Sequence, residues 1–212
     1  MPLRVLFVRH GESYANLDRV FANRVTIPGD LTPEGISQAL VLANEVMPWG
    51  VSHIYTSPLP RAQQTAGILA EALGAPVTVT DALREYDVGD FEGLPYSGDH
   101  AWRWARYETI EQSWRAGDHA ARHPGGESLA DLTRRVLPFM RNLVTQHDTS
   151  ETLVAVGHGG LFRAVLPLLL ANIPPGYAWH HPIHHGDIIV AAHLHDEWRC
   201  ERWAHDCFPL PD

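Results

Sequence analysis

Two apolar runs of this chain, RVLFVRHGE at 4–12 and TLVAVGHGG at 152–160, end on the same pair, a histidine followed by a glycine. Each run is short, rich in branched side chains and free of polar alternation. That is the pattern of a strand covered on both faces inside a parallel sheet. In open α/β sheets, ligand sites lie beyond the carboxyl ends of the strands. If the two runs are parallel neighbours, His10 and His158 meet at one sheet edge although 148 positions separate them (158 − 10). The glycines permit tight turns there and leave backbone N–H groups to face an anion. A polar side chain at a strand end is ordinarily a surface residue. The same strand–His–Gly arrangement twice, with Arg9 beside the first, argues for a site instead.

The rest of the chain alternates strands with helices. Thr32-Pro33-Glu34 supplies an N-cap, a proline at the first helical position and an acid in the first turn, and Pro48 and Gly50 stop the helix they open. A strand is expected at 52–56, a helix opening at Ser57-Pro58 and ending near Gly74, and a third strand at 76–80. Residues 101–114, with three tryptophans and a tyrosine, are expected to be helical. A capping-box pattern at 128–131 opens a helix to about 146, and 161–170 forms an apolar one. Strands at 187–194 and 198–203 make an antiparallel hairpin at one edge. The expected fold class is α/β, three layers α/β/α with a mostly parallel central sheet. A single domain over 1–212 is expected, with an insertion at about 95–123 lying as a lid over the C-terminal edge of the strands.

Two further stretches bear chemistry. In TSPLPRAQQTA, 56–66, Arg61 falls in the first turn of a helix, where the dipole prefers an acid. Either it is solvated or an anion sits between it and the helix terminus. In LREYDVGDFEG, 83–93, four acids stand among two glycines. One carboxylate brought beside a phosphate would serve as a general acid.

Composition narrows the partners. A formal net charge of −9 argues against nucleic acid or an anionic membrane. All sixteen basic residues are arginine, and no lysine is present to ligate phosphate or carboxylate. Cys200 and Cys207 fit no zinc or redox spacing. No basic, apolar leader and no apolar run near the roughly 20 residues of a spanning helix is seen, so a cytoplasmic location is expected.

Taken in order, these stretches resemble the histidine phosphatase superfamily, also called the phosphoglycerate-mutase-like family. Arg9-His10-Gly11-Glu12 resembles its signature, and Asn16 the asparagine that follows. Ser57-Pro58 with Arg61-Ala62 to Thr65-Ala66 resembles its second motif. The segment from Leu83-Arg84-Glu85 to Gly93 resembles the one bearing the acid, and Gly157-His158-Gly159 the last; PGGES at 124–128 is also familiar there. The resemblance implies that His10 attacks phosphorus and becomes phosphohistidine. Arg9, Arg61 and a charged His158 would clamp the phosphoryl oxygens, helped by Asn16 and the N–H of Gly159. Glu85 would protonate the leaving oxygen and then take a proton from water. No cofactor and no metal is implied.

Within that family the chain reads as a phosphatase acting on a small-molecule phosphomonoester. The resembled mutases place Arg and Tyr where Tyr86 and Val88 stand here, use a lysine for the substrate carboxylate, and carry an FSGWYD-like run where this chain has FANRVTIPGD. A cofactor-dependent phosphoglycerate mutase and a catalytically silent phosphate-binding module are the alternatives. Trp102, Trp104, Tyr107 and Trp114 would either stack on a leaving group, with Arg103 and Arg106 as anion ligands, or pack the lid onto the core. His180, His181, His184 and His185 are closely spaced, whereas tetrahedral zinc sites usually draw ligands from separated elements; an exposed histidine loop bordering the entrance is expected, with a metal-dependent hydrolase as a further alternative. The edge hairpin leaves a homo-oligomer open.

Overall fold

The computed structural model describes residues 1–174 and 176–210. Its elements are β1 (Leu3–Arg9), α1 (Tyr14–Leu17), α2 (Pro33–Val46), β2 (His53–Thr56), α3 (Pro60–Leu73), β3 (Val77–Val79), α4 (Ala101–Arg115) and α5 (Leu129–Gln146). Then follow β4 (Thr152–Gly157), α6 (Gly159–Leu169), α7 (Tyr177–His180), β5 (Ile188–Leu194), β6 (Glu197–Trp203) and β7 (Asp206–Cys207). The strands form one sheet in the order β3-β2-β4-β1-β5-β6-β7. The first four in that order are parallel, and β5, β6 and β7 complete the sheet antiparallel to their neighbours. The hairpin expected near the C-terminus is there, extended by the short β7.

Side-chain alternation along β1 builds the two faces. Leu3, Val5 and Phe7 join Leu132, Val136, Met140, Phe162 and Val165 of α5 and α6. Leu6 and Val8 join Leu42, Val46, Ala62, Ala66 and Leu69 of α2 and α3. Both faces of β1 are therefore apolar, which is why its sequence is a continuous run. The three layers are helices, sheet and helices, as expected.

The register decides where the chemistry goes. β1 and β4 are parallel neighbours with Arg9 opposite Gly157, so the next residues, His10 and His158, leave the sheet side by side. Two local expectations need correction. The helix after β2 begins at Pro60, not at Ser57-Pro58, and its N-cap Leu59 makes no side-chain capping bond. Leu59 precedes a proline and stays extended, with Pro60 at the first helical position. The loop after β1 also holds one helical turn, α1, closed by a capping box between Ser13 and Asn16.

Candidate active site

A cleft of about 210 Å³ opens at the carboxyl edge of β1 and β4. Arg9, His10, Asn16, Arg61, Glu85 and Gly159 all line it, brought from four separate stretches of sequence. His158 lies directly beneath, its ring centroid 4.9 Å from that of His10. The seven residues singled out from sequence are thus assembled at one place.

Arginine can only donate, and that fixes the state of His10. Arg61 Nε donates to His10 Nε2 at 3.0 Å, so Nε2 carries a lone pair. The ring proton is on Nδ1, which donates to the Gly11 carbonyl at 2.6 Å. His10 is 2 % exposed, and burial, then the charge of Arg61 and its neighbours His158, Arg9 and His185, hold it well below the ordinary imidazole value. It is a neutral imidazole at the cleft wall, its one lone pair accepting from Arg61.

The charge of His158 depends on what the site holds. Burial, followed by Arg61 and Arg9, holds it well below the ordinary value too, so in the unliganded site it is neutral rather than cationic. Its Nε2 is 2.8 Å from Ser57 Oγ, which also accepts from Leu59 N. Its buried Nδ1 has no hydrogen-bond partner among the described residues.

Arg61 is 4 % exposed and gives its other nitrogens to Ala22 O at 2.6 Å and Asn23 Oδ1 at 3.4 Å. Burial lowers its pKa to about 10, still a cation at neutral pH. Asn23 is itself fixed, its amide donating to Tyr86 O while its neutral oxygen accepts from Arg61. Asn16 Oδ1 accepts from Ser13 N and Ser13 Oγ, which leaves its amide donors for the cleft. Glu85 is held by two backbone donors, Gly160 N on Oε2 at 2.9 Å and Tyr86 N on Oε1 at 3.0 Å. The close approach requires glycine: a Cβ at Gly160 would lie 2.8 Å from Glu85 Oε2, and one at Gly159 3.2 Å from the Arg9 guanidinium.

The aromatic expectation resolves by residue. Trp104 and Tyr107 of α4 line the cleft together with Tyr96. Trp114 is buried, donating Nε1 to Ala121 O, and Trp102 is exposed. Arg103 lies over the Trp102 ring and donates to Pro95 O, and Arg106 is exposed; neither lines the cleft. A third cleft arginine, beside Arg9 and Arg61, is Arg163 of α6, which pairs with buried Glu111 of α4, itself bonded to Tyr86 Oη. Nothing in the spacing of Arg163 marked it.

The histidine-rich loop is not uniformly exposed. His181 bonds Asp206, while His185 turns inward with Nε2 2.9 Å from Arg9 Nη2. Among the described residues no group of three or more His, Cys, Asp or Glu side chains is arranged to hold a metal ion.

The family model for the histidine phosphatase superfamily, branch 1, matches residues 5–206. The chain belongs to this superfamily. It is 32% identical over 167 residues to a putative phosphoserine phosphatase 2 of Hydrogenobacter thermophilus, covering 78% of each chain. It is 35% identical over 177 residues to a probable phosphoglycerate mutase GpmB of Yersinia enterocolitica, covering 82% of this chain and 77% of the relative. A mycobacterial glucosyl-3-phosphoglycerate phosphatase superposes with a TM-score of 0.79 at 28% identity, over 96% of this chain and 99% of the other. Superfamily members thus carry both phosphatase and mutase names. No helix among the described residues is long and apolar enough to cross a membrane.

Proposed function

We propose that the protein is a phosphomonoesterase that hydrolyses a small phosphate monoester through a phosphohistidine on His10. The observation carrying this reading is the state of His10 in the cleft: its Nε2 bears a lone pair and no hydrogen, held at rest by Arg61 Nε, which gives it up as the guanidinium turns to the arriving phosphoryl oxygens. The Nε2 lone pair forms the N–P bond as the P–O ester bond breaks, and the leaving alcohol takes its proton from the Glu85 carboxyl. Water then attacks phosphorus, gives a proton to Glu85, and the N–P bond breaks to release phosphate and neutral His10. A covalent intermediate divides the displacement into two steps. The protein's contribution is positioning and charge: Arg9 and Arg61 meet the equatorial oxygens, with Asn16 and the Gly159 N–H beside them. His158, neutral at rest, takes up a proton when the phosphoryl dianion arrives, because a nearby negative charge favours the imidazolium.

Hydrolysis rather than mutase transfer is favoured by Tyr86 and Val88, which are 1 % and 0 % exposed and turned into the core. Neither reaches substrate, and no lysine exists to replace them. The mutase reading keeps its place as the second one because of the GpmB-like relatives. A cytoplasmic location and a single domain remain part of the proposal.

Phosphate release from a panel of phosphomonoesters, with chelator present and His10→Ala alongside, tests it. Release by the wild type and its absence in the variant are expected. Activity surviving in His10→Ala sinks the mechanism, and label moving between positions of 3-phosphoglycerate without phosphate release turns the reading to mutase.

A further inference from the structure

The segment from Ile183 to Asp187 closes around Arg9. Arg9 N donates to Asp187 O at 3.1 Å, and Gly186 N donates to Arg9 O at 3.0 Å. On the side chain, Nη1 donates to Ile183 O at 2.6 Å and Nη2 to His185 Nε2 at 2.9 Å. Because the guanidinium only donates, His185 Nε2 is the acceptor and its proton is on Nδ1. The His185 ring sits 5.5 Å from that of His10.

The acceptors around the two phosphate-facing arginines share a property. Arg9 is held by a carbonyl and an imidazole; Arg61 by a carbonyl, an amide oxygen and an imidazole. Among the described residues neither is in an ion pair. The third arginine of the cleft, Arg163, is paired with a carboxylate. A carboxylate would orient Arg9 more strongly than an imidazole does. It would also cancel the charge that a phosphoryl dianion requires.

We infer that His185 is a positioning residue for Arg9, its neutral imidazole fixing the guanidinium while leaving the whole positive charge to the phosphoryl group. This rests on the reading of the cleft as a phosphohistidine site. Burial, then the charges of Arg9 and Arg61, push the His185 imidazolium down to about 3, so the acceptor persists at assay pH. Two of the five guanidinium N–H donors are committed to Ile183 and His185. The Nε of Arg9, buried and without a partner among the described residues, lies where the missing Cβ of Gly159 gives it room.

The test compares His185→Gln with His185→Glu, two side chains of equal size whose terminal oxygen reaches the place of Nε2. His185→Ala is the third variant. Orthovanadate inhibition and kcat/KM are measured with the full chain, beside a thermal melt of each variant. His185→Gln is expected within about threefold of wild type. His185→Glu is expected to bind vanadate at least about tenfold more weakly, since a carboxylate there repels the oxyanion and neutralises Arg9. A packing role would not separate Gln from Glu, and equal vanadate affinity of the two overturns the inference. Should His185→Glu not fold, Gln binding vanadate at least threefold tighter than Ala supports it, and equality overturns it. A wild type that neither binds vanadate nor depends on His10 overturns the underlying reading as well, which distinguishes the two failures.

Discussion

Gly160→Ala probes Glu85, the proposed acid, more sharply than replacing Glu85 itself. The new methyl would lie 2.8 Å from Glu85 Oε2, 2.9 Å from Oε1 and 2.9 Å from Tyr86 Cε1. Non-bonded atoms rest at about 3.5 Å, so the carboxylate must retreat by roughly 0.7 Å, because the fully buried Tyr86 ring cannot. That retreat strains the bond from the Gly160 N–H, one of the two that aim the carboxylate. A misplacement near 1 Å costs on the order of a hundredfold in rate. The expected loss is tenfold to a hundredfold in kcat, about 1.4–2.7 kcal/mol of barrier. Overpacking adds a fall in stability of about 1–3 kcal/mol. The assay is a pre-steady-state burst with two substrates, an alkyl phosphomonoester and p-nitrophenyl phosphate. The nitrophenolate leaves without a proton, so its burst rate should hold while the alkyl ester's falls. Equal losses on both substrates would refute Glu85 as the donor to the leaving group. Unchanged rates on both would show that the clamp around Glu85 is immaterial.

Folding stability should fall in mild acid. His10, His158 and His185 all have folded pKa values below the unfolded value of about 6.5, so below that pH the unfolded chain binds more protons and stability drops as pH falls. The slope should approach roughly 1.4 kcal/mol per pH unit for each histidine below about pH 6, read from urea melts. A flat profile from pH 7 to 5 would mean that these rings take up protons as readily in the folded protein as in the unfolded chain. Arg163→Met strands Glu111, which is 6 % exposed, and should cost about 3 kcal/mol or more, whereas adding Glu111→Gln should return over half of it in thermal melts.

What could be read from the sequence was whatever local chain geometry carries. Arg9, His10 and His158 follow directly from strands whose apolar pattern is unmistakable, and the β1–β4 register then makes them neighbours. Arg61 and Glu85 were legible through the motifs around them. Asn23, His185 and Arg163 were not. Asn23 lies in a loop without periodicity, and His185 stands in a run of histidines whose density suggested solvent. Arg163 sits one and a half turns into an apolar helix, where its use depends on Glu111, 52 positions away. Such residues act through tertiary partners, and neither their spacing nor their type announces it. The resting charge of His158 is not legible for the same reason: desolvation is a property of the assembled core.

β1 is hydrogen-bonded along both edges, to β4 on one side and β5 on the other. Amide protons in such a strand exchange only when most of the molecule opens, whereas loops and exposed helices exchange through small local openings. His10, the proposed nucleophile, therefore follows directly on the strand expected to exchange most slowly. On the proposed reading, admission of substrate and departure of product would fall to the segments around the mouth, the loop carrying Ala22 and Asn23, helix α4 and the turn at His184. A deuterium-exchange map of this protein should accordingly show a still floor beneath a labile rim, with the chemistry at the boundary between them.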